Sequence, residues 1–224
     1  MKQLFVTYVE DSYQLTTAGY AALIILMILS LIIAATIIHH DTKKKRFDTK
    51  QMIFCAVSMA LAMVTSMIKL YSFPFGGSVT LFSMFFICFI GYLYGPKAGL
   101  MTGISYGILQ LIINPYILFP MQVVVDYVLA FGALGLSGFF WKSKNGLIKG
   151  YIAGILGRYF FAVLSGWLFF GEYAWNGWAP LPYSLVYNGC YIFTEGLITL
   201  LLLAKVAPVK NGLAYVRKLS VTES

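Results

Sequence analysis

Residues 158–189 read RYFFAVLSGWLFFGEYAWNGWAPLPYSLVYNG. An apolar run carries one cation, Arg158, into a loop dense in tryptophan, tyrosine and proline, and the next apolar run opens with Tyr183, Tyr187 and Asn188. Neither a lipid-facing anchor nor a soluble loop has this make-up. In a membrane protein, aromatic rings and amides gathered where two helices meet suggest a pocket for a flat, polar, cationic molecule.

The rest of the chain makes the solvent clear. Of its 224 residues, 60% are hydrophobic and 11% charged, with a mean hydropathy of +0.81. That composition belongs to an all-α, multi-pass integral membrane protein. The formal charge of +8 would suit nucleic acid, but the cations stand between apolar runs, as the positive-inside rule requires, so no nucleic-acid partner is expected. Cys55, Cys88 and Cys190 all fall inside apolar runs and read as small core residues, with neither a disulfide nor a metal site expected.

Residues 17–38 form an apolar run long enough to span the ~30 Å hydrocarbon core. A basic block, KKKR at 43–46, follows the run rather than preceding it, so a retained helix with its N-terminus outside is favoured over a cleaved signal peptide. His39 and His40 lack a carboxylate or cysteine at ligand spacing and are assigned no metal. Further apolar runs lie at about 51–72, 79–94, 98–114, 121–141, 148–171 and 183–206. With residues 43–46 inside, thirteen of the sixteen cations fall on the inner face; Lys2, Lys69 and Arg158 are the exceptions. The loops 73–78, 115–120 and 172–182 then share the outer face.

Three ionisable residues lie within the spans: Asp126, Arg158 and Glu195. Each costs ~2.5–3.5 kcal/mol or more at a helix centre unless it is paired or faces a polar cavity. An Asp126–Arg158 ion pair is the structural reading of the first two, and a place in a binding site is the functional one. Glu195 reads as an interhelical tie. Gly95, Gly99, Gly103 and Gly107 recur every four residues and bare one helix face for close packing, within the chain or on a partner. Ala56 and Ala60, extended by Ala62, suggest a similar face earlier in the chain.

Several classes are excluded. No G-x-x-x-x-G-K-[ST] loop is present for hydrolysing ATP, and no H-E-x-x-H, G-x-S-x-G or zinc spacing supports an intramembrane enzyme or a bound cofactor. A proton-coupled carrier using Asp126 or Glu195 stays open, although no internal repeat of the usual carrier kind is evident. A membrane scaffold in which glycines and aromatics only pack stays open too.

Five motifs in order carry a resemblance: GGSVT at 76–80, YGPKAGLMTGISYGILQ at 94–110, PMQVVVDYVLAFGALGLSG at 120–138, RYFFAVLSG at 158–166 and YSLVYNG at 183–189. Together they resemble the thiamine-specific S-components of energy-coupling factor (ECF) vitamin transporters over residues 50–208. The resemblance implies a six-helix S-component bundle in the bacterial plasma membrane. It is preceded here by a segment, 1–49, holding one extra transmembrane helix, and followed by a cytoplasmic tail, 209–224. It further implies an outward-facing vitamin pocket closed by the 73–78 loop, and partnership with a membrane scaffold subunit and two ATPase subunits. The family's binding residues fall on Asp126, Tyr127, Arg158, Phe170, Tyr183 and Asn188, with Gly77 in the closing loop; its docking face falls on Ala56 and Ala60. A cationic thiazolium would attract the carboxylate and ring faces, and an aminopyrimidine would offer edges to Asp, Tyr and Asn. The chain departs at Ala162, where relatives commonly carry histidine, and at Phe170, where some carry tryptophan; a thiamine precursor or another flat heterocycle is the alternative ligand.

Overall fold

The computed structural model describes residues 6–9, 12–22, 24, 25, 28, 29, 32, 36 and 48–221. A short antiparallel hairpin comes first, β1 (Val6–Val9) and β2 (Ser12–Leu15). Residues 17–22, 24, 25, 28, 29, 32 and 36 of the expected extra span are helical; the rest of that span, the two histidines and the basic block lie outside the described residues.

Six helices then build the bundle: α1 (Thr49–Met67), α2 (Ser83–Tyr94), α3 (Pro96–Ile113), α4 (Pro120–Phe140), α5 (Gly146–Phe169) and α6 (Pro180–Lys205). Of these, α1, α4, α5 and α6 are long and apolar enough to cross a membrane. Helix α2 has only 12 residues. It is the bundle's central strut: Ile87 and Ile90 are wholly buried, and Phe85, Cys88, Phe89 and Leu93 join them in the core. It ends at Gly95, whose φ of +90° suits a residue without a side chain, and Pro96 opens α3 at once.

The glycine steps of α3 pack inside the molecule. A Cβ on Gly99 would meet the Cα of Gly91 at 2.8 Å and that of Gly135 at 3.1 Å; one on Gly107 would run into the Tyr127 carbonyl oxygen. Backbone therefore meets backbone between α3 and α4, and the partner-docking reading of these glycines is set aside. Helix α4 is correspondingly irregular. It winds as an α-turn at Pro120–Val123, a π-helical stretch at Val124–Leu129 and a 3₁₀ run at Ala133–Phe140.

The apolar run 51–72 is not one helix. Helix α1 stops at Met67, and Lys69–Ser72 becomes β3, paired antiparallel with β4 (Ser78–Thr80). The turn between them needs backbone that helices exclude: Phe75 has φ 64° and Gly76 φ 97°. Ile68, Leu70 and Tyr71 extend the apolar run past the end of α1, so the hydropathy pattern merges the strand with the helix. Ala62 also differs from expectation. It is wholly buried, and its carbonyl accepts the Tyr106 hydroxyl at 3.2 Å, whereas Ala56 and Ala60 face outward with Val57 and Val64. Finally, the boundary at 208/209 falls within a further helix, α7 (Ala207–Val221), so the segment is helical as far as Val221.

Glu195 is the tie its position suggested. Buried on α6, it accepts the Thr80 hydroxyl at 2.5 Å, the Ser83 hydroxyl at 3.1 Å and the Met84 amide at 3.1 Å. One carboxylate thus caps the start of α2 and anchors the end of β4.

Candidate ligand-binding cavity

A cavity of about 220 Å³ opens among α3, α4, α5 and α6 beneath the β3–β4 hairpin. Asp126, Tyr127, Arg158, Phe170, Tyr183, Asn188 and Gly77 all line it, as does Ala162. These residues are brought to one place from the hairpin turn, three helices and the loop that begins at Phe170.

Helix α4 supplies the acid. Asp126 lies in the π-helical stretch, a helical irregularity that is frequent at functional sites because it turns side chains off the regular path. Its Oδ2 accepts the Gln122 side-chain amide at 2.6 Å. Gln122 is itself fixed, donating to the Tyr116 carbonyl at 3.1 Å and accepting the Leu118 amide at 3.1 Å. The carboxylate is therefore oriented by a buried amide clamped to the 114–119 loop. Tyr127 works on the same loop: its hydroxyl accepts the Tyr116 amide at 2.8 Å and donates to the Asn114 carbonyl at 3.2 Å. That role is one of wall-building, with the ring rather than the hydroxyl left for a ligand.

Arg158 comes from α5. Its guanidinium lies 4.3 Å from the centre of the Phe131 ring, a cation–π arrangement that keeps the charge at the cavity wall. Asp126 and Arg158 thus meet different partners, Gln122 and Phe131, rather than forming the direct ion pair that was one reading of them. Their charges remain available to a guest. Phe170 stacks on Tyr116 with ring centres 5.9 Å apart and planes 16° off parallel.

Helix α6 contributes a ladder of polar rings. Tyr183, Tyr187 and Asn188 line the cavity with Tyr191, whose hydroxyl donates to Asn188 Oδ1 at 2.7 Å. The Asn188 amide donates to the Ser184 carbonyl at 2.9 Å and the Ser184 hydroxyl at 3.0 Å. Tyr183 packs edge-on to Trp175 at 5.1 Å, which joins the 172–182 loop to the wall. The hairpin closes the top. The Gly77 amide donates to the Tyr187 hydroxyl at 2.9 Å, and that hydroxyl donates to the Pro74 carbonyl. Phe75 packs on Tyr173 at 4.4 Å.

Gln122, Tyr116, Tyr173 and Tyr191 were not expected at the site. Gln122 left a signal, since a polar residue four positions before Asp126 in an otherwise apolar helix falls on the same face. Tyr116 and Tyr173 sit in loops, where aromatic residues alone are no guide to direction.

A roofed cavity with one carboxylate, one guanidinium and a wall of tyrosines, set in an apolar helical bundle, defines a membrane-embedded binding protein for a small polar molecule. The sequence profile of the thiamine transporter protein family matches residues 52–213. The chain belongs to that family. It is 36% identical to the thiamine transporter ThiT of Bacillus subtilis, over 70% of this chain and 92% of the relative. It is 31% identical to ThiT of Lacticaseibacillus paracasei, over 52% of this chain and 70% of the relative. Among solved structures, ThiT from Listeria monocytogenes superposes with a TM-score of 0.59 at 30% identity, covering 70% of this chain and 94% of that one.

Proposed function

We propose that this protein is the substrate-binding S-component of an ECF-type uptake transporter and that its ligand is thiamine. The observation that carries the reading is the Asp126 carboxylate, oriented by Gln122 and opening into the same aromatic cavity as Arg158, Tyr183 and Asn188. A thiazolium needs anionic and π-rich surroundings, and an aminopyrimidine needs fixed acceptors and donors; the cavity offers both. Family membership and the three ThiT relatives support the same ligand. The protein binds, and partners supply the energy, since the sequence has no ATP-binding loop of its own. The partners are a membrane scaffold subunit and two ATPase subunits. Exposed Ala56 and Ala60 on α1 give a shallow face against which the scaffold docks.

Titration of the purified protein with thiamine tests the assignment through quenching of Trp167, Trp175 and Trp178. Saturable quenching without ATP is expected; its absence overturns thiamine as ligand. Vesicles containing only this protein and driven by a pH gradient test the autonomous-carrier reading, which requires uptake there without an ATPase module. A second ligand reading rests on Ala162 and Phe170, which line the cavity with a small side chain and a non-donating ring. A thiamine precursor bound more tightly than thiamine itself would select it.

A further inference from the structure

The opposite end of the bundle holds a second hollow, of about 980 Å³, walled by the α4–α5 loop, the end of α2, the end of α6 and one side of α7. Lys144, Lys210, Arg217 and Lys218 line it, and among the described residues no Asp or Glu does. The positive-inside rule accounts for cations on this face, but not for their convergence from a loop and a separate helix on one hollow. Arg217 is also held in place. Its guanidinium lies 4.7 Å over the Tyr92 ring, donates to the Tyr92 hydroxyl and reaches the Trp141 carbonyl at 3.4 Å. Both of those partners are neutral, so among the described residues the charge is oriented and not cancelled. The same wall also carries Leu147, Leu203 and Leu213.

We propose that this hollow binds an anionic phospholipid, its headgroup phosphate held by Lys144, Lys210 and Arg217 and its acyl chain laid along Leu203 and Leu213. Three cations facing one space repel each other, and a phosphate relieves that repulsion while matching the guanidinium fork. Basic pockets between helices at the membrane surface are suited to acidic headgroups. A free phosphate would answer the cations and leave the leucines unused. The first turn of α5, Gly146 to Ile148, lines the same wall and adds the positive end of that 24-residue helix.

The test uses the full chain in detergent, with phosphatidylglycerol, phosphatidylcholine or inorganic phosphate added at equal concentration. Lipid retention is read by native mass spectrometry and the unfolding midpoint by heating. Phosphatidylglycerol is expected to be retained and to raise the midpoint, and the other two are not. The double variant Lys144→Gln, Lys210→Gln should weaken retention about fivefold per lysine. A second double variant, Lys149→Gln, Lys205→Gln, removes the same charge outside the hollow and should leave retention unchanged. Both replace exposed side chains, and the midpoint without lipid reports whether each has folded. Equal losses in the two variants would reduce the effect to general surface charge and overturn the site. A full effect from inorganic phosphate would overturn the lipid assignment, as would indifference to phosphatidylglycerol.

Discussion

The Gly77 amide and the Tyr187 hydroxyl meet at 2.9 Å across the mouth of the cavity, joining the turn of a hairpin to the second turn of α6. With the bond from the same hydroxyl to the Pro74 carbonyl, this contact closes the roof, each hydrogen bond contributing about 0.5–1.5 kcal/mol. Tyr187→Phe keeps the ring against Phe73 but removes the latch. Thiamine affinity should fall by a few-fold, roughly 2–10, through faster release, while the unfolding midpoint drops by only a few degrees, roughly 2–6 °C. Stopped-flow tryptophan quenching separates the two rates.

Gly77 offers a steric version of the same experiment. A Cβ there would stand 2.7 Å from the Tyr187 hydroxyl oxygen and 2.9 Å from a Tyr191 ring carbon. The Gly77 backbone, at φ −64°, is open to any residue, so the effect of Gly77→Val is one of space alone. The variant should fold normally and bind thiamine weakly, because the roof can no longer seat. Unchanged affinity would separate roof closure from binding.

Asp126→Asn preserves size and removes the charge that a thiazolium requires. Thiamine should bind at least about tenfold more weakly, equivalent to ~1.4 kcal/mol. Gln122→Leu leaves the charge and removes the amide that orients it, so a smaller loss is expected. Isothermal titration of both variants gives the order; an unaffected Asp126→Asn would remove the carboxylate from the site.

Glu195→Gln should act on the fold instead. The wild-type carboxylate accepts from two hydroxyls and two backbone amides inside the bundle, and the replacement brings donors of its own to face those donors. The unfolding midpoint should drop, for a loss on the order of 1–3 kcal/mol, with thiamine affinity nearly intact in the folded fraction. Thermal unfolding with and without ligand checks both halves.

Cost in the membrane made Asp126, Arg158 and Glu195 legible in the sequence, and all three are where polar or aromatic neighbours exist to meet them. The glycine steps of α3 were equally readable as a bare face, though only the position of Gly135 and Tyr127 shows that it packs inside the chain. Hydropathy failed at 69–72, where Leu70 and Tyr71 in an exposed strand extend the apolar run and look like the end of a helix. Gln122 was passed over because an uncharged amide beside three valines carries little penalty by itself; its importance lies in what it touches. Helix α7 went unread for the reverse reason: its polar, basic composition resembles a solvated tail until its apolar side meets the core of the bundle.

The π-helical stretch at Val124–Leu129 has a genetic consequence. Such a stretch holds one residue more than a regular helix of the same rise, and here the Ala130 amide reaches back five residues to the Val125 carbonyl. Deleting a single valine from 123–125 would let α4 wind regularly and close the wide turn that sets the spacing of Gln122 and Asp126. Gln122 and Asp126 would then stand three residues apart instead of four, and the 2.6 Å bond that orients the carboxylate would lose its present geometry although both residues were still encoded. The cavity therefore depends on the length of this segment as well as on its letters, and a one-codon deletion there would do what no substitution does.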